Sequence, residues 1–569
     1  MQVGTVRAPS PPRRDNYKWV ALSNTTIGVL LATIDASIML IAMPDIFRGI
    51  DLDPLNPANS FYLLWMILGF LIVSSVLVVG LGRLGDILGR VRIYNLGFVI
   101  YTGASLLLTI DWMTGRSGAV WLMVMRVLQG IGAACLIGNS AAILTDAFPS
   151  NQRGLALGIN NVAGISGVFI GLVLGGLLAP INWRLVFLVS VPFGLFGTVW
   201  AYLKLEERGV RRRVPIDWLG NTTFAIGLIL VMIGITYGIE PYGKDPMGWT
   251  SPWVLSELIV GVAFLAWFVV VESRVPNPMF RLPLFRIRAF TFGTLSSFLA
   301  AVGRGGLMFM LIIWLQGIWL PEHGYSFSST PLWAGIYMLP LTGGFLLAGP
   351  MSGFLSDRFG SRPFATGGMI AAAASFAFLQ LLPIDFPYPL FALILLLNGL
   401  AMGAFASPNR AAVMNSLPAG DRGAGGGMNA TFQSSAQVLS IGIFFTLMIT
   451  GLAATLSTTM TGGLEAHGVP AAVAVQVGHL PPVSILFAAF LGYNPIQQLV
   501  GPHVLGQLSA ANASALTGRE FFPQLISGPF AAGLHQAFTF SLLVCLVAAV
   551  ASWSRGKRVT AEEPPPTAG

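Results

Sequence analysis

The chain is punctuated by apolar blocks of about 20 residues, the length an α-helix needs to cross roughly 30 Å of hydrocarbon at about 1.5 Å per residue. They run approximately over residues 21–43, 62–81, 93–110, 119–144, 155–179, 185–203, 219–239, 253–271, 290–315, 333–355, 364–382, 390–405, 432–449 and 534–553. Inside lipid every backbone N–H and C=O must find a partner within the protein, which leaves helices or closed barrels. Barrel strands alternate every second residue, and a stretch such as 391–397 does not. Composition points the same way. With 9% of its residues charged, against roughly 25% in soluble domains, the chain cannot cover itself with a water-facing surface. The blocks predict an all-α integral membrane protein with fourteen transmembrane helices.

The distribution of basic residues sets the orientation. Placing the N-terminus in the cytoplasm leaves only Arg48, Arg116, Arg184, Lys244 and Arg519 outside, of 31 Lys and Arg in all, with Arg126 and Arg304 within the membrane. The positive-inside rule therefore favours cytoplasmic termini at both ends. Residues 1–18 carry Arg7, Arg13, Arg14 and Lys18 ahead of an apolar block too long for a signal peptide, and read as a retained tail. Residues 554–569 read as the second tail. The stretch 451–530 holds an apolar run, 482–492, that is short and flanked by proline; it is expected to be a long external loop that partly folds back. A fifteenth span there would put Arg555, Lys557 and Arg558 outside, so parity supports fourteen.

Several function classes find no support. The net charge of +8 is spread over short connections rather than gathered into a nucleic-acid surface. Cys135 and Cys545 both lie in apolar blocks and read as packing residues, with no disulfide or metal role. The histidines lack ligand spacing, and no nucleophile elbow or phosphate-binding glycine loop occurs. An enzyme, a metal site, a cofactor and direct use of ATP are not expected, which leaves an ion gradient as the energy source.

The chain repeats itself. Gly82-Arg-Leu-Gly-Asp86-Ile-Leu-Gly89-Arg90 returns 271 residues later as Gly353-Phe-Leu-Ser-Asp357-Arg-Phe-Gly360-Ser-Arg362, and Pro149-Ser-Asn-Gln-Arg153-Gly154 returns 269 residues later as Pro418-Ala-Gly-Asp-Arg422-Gly423. This displacement carries span 2 onto span 10 and span 4 onto span 12, so equivalent helices stand eight apart although each half needs six. The expected organisation is a six-helix bundle over 19–204, two inserted helices over 205–273 and a second six-helix bundle over 274–553. Parallel halves of this kind are how major facilitator transporters are built.

Beyond the repeat, the segment from Gly82 to Arg92 matches the pattern G-x-L-x-D-x-x-G-R-x-R/K. Leu122-Met-Val-Met-Arg126-Val-Leu-Gln129-Gly130-Ile-Gly132 puts an arginine inside span 4. Asp35-Ala-Ser37-Ile-Met-Leu40-Ile-Ala42-Met-Pro44 puts a carboxylate inside span 1, and Gly167-Val-Phe-Ile-Gly171-Leu172-Val-Leu-Gly175-Gly176 lays a glycine face along span 5. Together these motifs resemble the fourteen-helix drug:proton antiporter family of the major facilitator superfamily, over nearly the whole chain. Leu40, Leu172 and Ser190 depart from the asparagine, proline and asparagine usual there.

The resemblance implies roles for these residues. Asp35 and Arg126 would couple transport to protons: burial raises a carboxyl pKa, an approaching arginine lowers it, and a moving helix can switch between them. Gly82, Asp86, Gly89, Arg90 and Arg92, with Asp357 and Arg362 in the second half, would form cytoplasmic latches that one conformation keeps and another breaks. Gly167, Gly171, Gly175 and Gly176 would let helices pack closely and flex. Tyr62, Asn160, Asn161, Arg304, Trp314, Gln316 and Phe432 are candidates for a substrate cavity. The expected activity is proton-coupled export of amphipathic or cationic compounds by a monomer in a bacterial plasma membrane, with no cofactor. Export of an endogenous lipid, siderophore or metabolite, and a sensor or scaffold that has lost transport, stay open beside it.

Overall fold

The computed structural model describes residues 16–556 apart from 54–55, 57–58, 150–151, 209–216, 244, 246, 277, 279, 419–421 and 493. The expectations for the tail arginines Arg7, Arg13, Arg14 and Arg558, and for Lys244 and Lys557, lie outside the described residues. Within them, 14 helices are long and apolar enough to span a membrane: α1 Tyr17–Gly49, α2 Phe61–Leu88, α3 Arg90–Thr109, α4 Gly115–Ala147, α5 Ala156–Leu178, α6 Leu185–Lys204, α7 Trp218–Ile239, α8 Pro252–Arg274, α9 Arg288–Glu322, α10 Thr330–Ser356, α11 Ser361–Gln380, α12 Tyr388–Asn415, α13 Ala424–Ala466 and α14 Phe521–Ser554.

Helices α1 to α6 pack among themselves, and α9 to α14 do the same. The inserted pair α7 and α8 pack chiefly on each other, with α7 lying against both α2 and α13. Tyr237 of α7 stacks on Phe61 of α2 at 5.7 Å between ring centroids, and a Cβ on Gly442 of α13 would overlap Ile235. The pair therefore sits beside the junction of the halves rather than within either.

The repeat is visible in three dimensions. Helices α2 and α3 are joined through Gly89 at φ +116°, and α11 follows Gly360 at φ +88°. L-residues rarely adopt either conformation, so glycine recurs where each half makes the same sharp joint. A second correspondence is chemical. Gln129 donates to the Ser105 hydroxyl at 2.9 Å between α4 and α3, and Asn398 donates to the Ser375 hydroxyl at 2.8 Å between α12 and α11. Both links bury their amides completely.

The stretch 451–530 is not a long loop. Helix α13 continues to Ala466 and α14 already begins at Phe521. The connection is helical in large part, through Ala471–Gly478, Pro482–Phe490, Ile496–Val500, Pro502–Leu505 and Ala510–Thr517. The first two form a pair bent by 84°. The run 482–492 folds back into the protein, since residues from Val483 to Phe490 are at most 1% exposed and Phe490 packs on Phe309 of α9 at 5.3 Å. It is an apolar wedge over the outer end of the second half, too short to span.

Helix α9 is interrupted at mid-depth. The Ser440 hydroxyl of α13 donates to the Val302 carbonyl at 2.5 Å and accepts from the Gly306 N–H at 2.9 Å, taking the place of the bond that N–H would make four residues back. A side chain inserted into the helical ladder is a recognised cause of a break. Nearer the outer end, Leu315–Trp319 form a π-helical turn, a feature frequent at functional sites.

Candidate functional site

Asp35 and Arg126 meet inside the first half. Their side chains are 0% and 1% exposed, and the guanidinium donates to the Asp35 carboxylate. Arg126 also donates to Gln129 Oε1 at 2.7 Å and to the Met66 carbonyl at 3.3 Å, and it lies 4.5 Å from the Phe70 ring centroid. Gln129 passes the network to Ser105, while Tyr101 donates to the Leu31 carbonyl at 3.0 Å beside it. A buried charge must be paired and hydrogen-bonded to persist, and this one is. One carboxylate oxygen, Asp35 Oδ1, is buried without a partner.

The glycine face of α5 explains how α1 is held there. A Cβ on Gly171 would fall 2.4 Å from the Ile34 carbonyl oxygen, and one on Gly167 or Gly175 would fall 3.0 Å from the Leu30 or Ile38 carbonyl oxygen. Only glycine permits this approach, so the stripe seats α5 on the α1 segment that carries Asp35. Gly176 faces the other half, where a Cβ would stand 2.4 Å from Leu332 Cα of α10. Leu172, where the family pattern has proline, is fully buried and its carbonyl lies against Gly335 of α10.

The two halves meet at their outer ends. Besides these α5–α10 contacts, Gln316 Nε2 on the π-helical turn donates to the Ile41 carbonyl of α1 at 3.5 Å. Toward the inner end the same helices carry exposed apolar side chains: Ile159 and Val162 of α5 are 38% exposed, and Leu347, Met351 and Phe354 of α10 are 60% exposed or more. A polar link joins the halves there, with Arg410 of α12 donating to Asn161 Oδ1 of α5 at 3.3 Å.

The inner loop motif is assembled differently from the expected latch. Arg90 pairs with Asp86 at 2.7 Å and with Asp146 of α4 at 2.6 Å, and its N–H donates to Glu207 at 2.9 Å. Asp86 and Asp146 belong to the first half, and Glu207 stands just past its end. The residue that reaches further is Arg83, whose guanidinium donates to the Pro278 carbonyl in the connection between α8 and α9. Gly82 lies against Gly138 of α4, and Arg92 is exposed. In the second half Arg362 stacks over Trp553 of α14 at 3.7 Å; the Asp357 side chain lies outside the described residues.

The cavity candidates divide. Asn160, Asn161, Tyr62 and Arg304 are partly or fully exposed, and Asn160 accepts from Ser140 at 3.4 Å. Trp314 is 4% exposed, wedged between Phe386 and Phe391, and packs rather than lines open space; Phe432 belongs to an aromatic group with Phe280, Phe285 and Phe298 and is partly exposed. Arg304 precedes the break in α9 and lies 5.1 Å from the Phe345 ring of α10. Sequence reasoning passed over Arg83, Gln129, Arg410 and Ser440. Gln129 was signalled by its place in the span 4 motif, and Arg83 by its place in the loop motif.

Comparison with known proteins agrees with this architecture. The sequence model described as Major Facilitator Superfamily matches residues 25–441. A tetracenomycin C resistance and export protein of Streptomyces glaucescens is 28% identical over 93% of this chain and 90% of its own. A riboflavin transporter of Clostridioides difficile is 27% identical over 75% of this chain and 87% of its own, and the methyl viologen resistance protein of Salmonella typhimurium is 29% identical over 82% and 90%. Among solved structures, a bacterial homologue of the human lysosomal transporter Spinster, inward-facing and unoccupied, aligns with a TM-score of 0.56 at 16% identity, covering 95% of this chain and 98% of that one.

Proposed function

The chain belongs to the Major Facilitator Superfamily, a multi-pass membrane transporter and not an enzyme, and on that footing we propose that it exports amphipathic small molecules in exchange for protons by alternating access. The observation that carries this reading is the fully buried Asp35–Arg126 pair, held at membrane depth on helices that α5 ties to the opposite half. An ionisable pair in that position is costly, and its usual return is function. At such a carboxylate burial favours the neutral acid and the arginine favours the anion. A shift of α4 against α1 alters that balance and so can load or release a proton.

An arrangement with the halves joined at their outer ends and the ion pair formed suits the stage at which a proton has been given up to the cytoplasm and cargo can enter. Reprotonation from outside would break the pair and free Arg126. Relatives named for resistance and export support the outward direction. A second reading, transport of an endogenous metabolite, draws on the riboflavin transporter relative. The proposal also takes the first half as 19–204 and the second as 274–553, acting as a monomer in a bacterial inner membrane.

The test is transport in proteoliposomes under an imposed pH gradient, using matched fluorescent amphiphiles that are neutral, cationic or anionic. Gradient-driven movement in the wild type that is lost in Asp35→Asn is expected. Wild-type movement indifferent to the gradient would end the coupling claim.

A further inference from the structure

Asp35 and Arg304 occupy matching places in the two halves. They are 269 residues apart, as are Gln129 and Asn398 and the paired prolines Pro149 and Pro418. Each lies on the first helix of its half. Asp35 is closed in by a cationic partner on α4. At the matching place on α12 the chain has apolar side chains around Asn398, and Arg304 forms no salt bridge or hydrogen bond among the described residues; it has a ring contact with Phe345 and lies within electrostatic reach of the Cys545 thiol of α14.

The direction in which Arg304 points follows from its neighbours. Gly303 faces Cys545 and Val544 of α14, while Gly305 and Gly306 face Ser440 and Phe444 of α13. At about 100° per residue these contacts fill the α13 and α14 sides of α9 and leave Arg304 turned toward α10, the helix that flanks the space between the halves. Its side chain is partly exposed although α9 is the most enclosed span of the protein. Arg410 also faces this space, and its partner there is the neutral Asn161.

Among the described side chains, the acids of the membrane helices give no counterweight. Asp35 is taken by Arg126. Asp45 and Glu322 stand at outer ends, Glu257 near the outer end of α8, and Glu272 at the inner end of α8, where it accepts from the Phe280 N–H at 2.9 Å. Among the described side chains, a cation entering from the cytoplasm meets two arginines and no carboxylate without a cationic partner, since Asp86 and Asp146 are paired with Arg90; an anion meets an unpaired guanidinium beside an aromatic face and an interrupted helix. Interrupted helices at the midplane are where transporters of several folds hold charged ligands, and a guanidinium offers forked donors to carboxylate or phosphate.

We infer that Arg304 is the anchor for an acidic group on the cargo, so that the transported compound is an amphipathic organic anion, an apolar body with one carboxylate or phosphate ester, rather than a cation. This rests on reading the space between the halves as the cargo site. It sharpens the expectation of amphipathic or cationic substrates by removing its second term.

The experiment uses the full-length protein in lipid nanodiscs and a fluorescent fatty acid, 11-(dansylamino)undecanoic acid, beside its neutral primary amide. Binding is read from the dansyl emission. The acid should bind the wild type roughly 10-fold or more tighter than the amide, the size of one lost charged hydrogen bond. Arg304→Gln should erase that preference while leaving the amide's affinity within about twofold, and Arg304→Lys should keep part of it. Equal wild-type affinity for acid and amide, or a preference that survives in a folded Arg304→Gln protein, overturns the inference. Gradient-driven transport of the acid by Asp35→Asn would instead sink the proton-coupling reading while leaving Arg304 in place, so the two failures are told apart.

Discussion

Asp35 and Arg126 are each other's charge partner in a region where neither side chain sees solvent. Removing one member of a buried pair leaves the other charge stranded, at a cost of about 3–5 kcal/mol, whereas removing both together costs far less. Asp35→Asn leaves Arg126 with Gln129, a backbone carbonyl and the Phe70 ring, a shell of dipoles with no countercharge. The single substitution should lower the thermal midpoint of the purified protein, and Asp35→Asn with Arg126→Gln should recover most of it. Transport coupled to protons should not return in the double variant. Equal destabilisation of the single and double variants would mean that the pair contributes through packing alone.

Gly89 and Gly360 make the same joint in two halves, but their surroundings differ. Both have a positive φ that costs another residue about 1–3 kcal/mol. At Gly89 a Cβ would also stand 2.5 Å from the Glu207 carboxylate that accepts from the N–H groups of Arg90 and Val91, while at Gly360 nothing lies within 4 Å. Gly89→Ala should therefore be the more damaging, in both thermal midpoint and transport rate. If Gly360→Ala proves equally harmful, backbone conformation alone governs both joints.

Glu240, just beyond the outer end of α7, has a buried carboxyl oxygen without a partner, and burial pushes its carboxyl up to about 7. The folded protein then holds a proton that the unfolded chain releases near pH 4.5, so this group favours the fold at low pH and the advantage is lost as pH rises through 7. Glu240→Gln should raise the thermal midpoint at pH 8, by the equivalent of about 1–3 kcal/mol, and change little at pH 4.5. A wild-type midpoint flat between pH 5 and 8, with no gain from the substitution, would count against a buried Glu240.

The number of spans and the repeat were legible because both are written in residue type: block length fixes the first, and two loop motifs at nearly one displacement fix the second. Helix ends were not. The continuation of α13 through Thr455–Ala466 and the start of α14 at Phe521 are built from polar or proline-bearing stretches that leave no apolar block, since a helix beyond the bilayer is held by packing rather than by lipid. The pairing of Asp35 with Arg126 could be anticipated from two lone charges in two helix motifs of one bundle. The break in α9 could not, because Ser440 reads in sequence as one more small residue on α13. Its consequence depends on which carbonyl and N–H it reaches across the helix interface. The correspondence of Asp35 with Arg304 lay in the numbering, but only the matching hydrogen bonds at Gln129 and Asn398 fix the register closely enough to use it.

An anionic cargo changes the electrical balance of the cycle. If one proton enters as one monovalent anion leaves, two positive charges move inward per turnover; with a monovalent cation as cargo the same exchange moves none. Each charge is driven by roughly 2.3 kcal/mol per 100 mV, so an anion exporter draws on the membrane potential through two charges and on the pH gradient through one proton. Right-side-out vesicles loaded with the dansylated acid and clamped at equal pH should export it faster when a potassium–valinomycin potential makes the interior negative, and Arg304→Gln should flatten that response by removing the preference for the anion. Export that ignores the potential while following the pH gradient would require an electroneutral cycle, in which the charge facing Arg304 is not carried by the cargo.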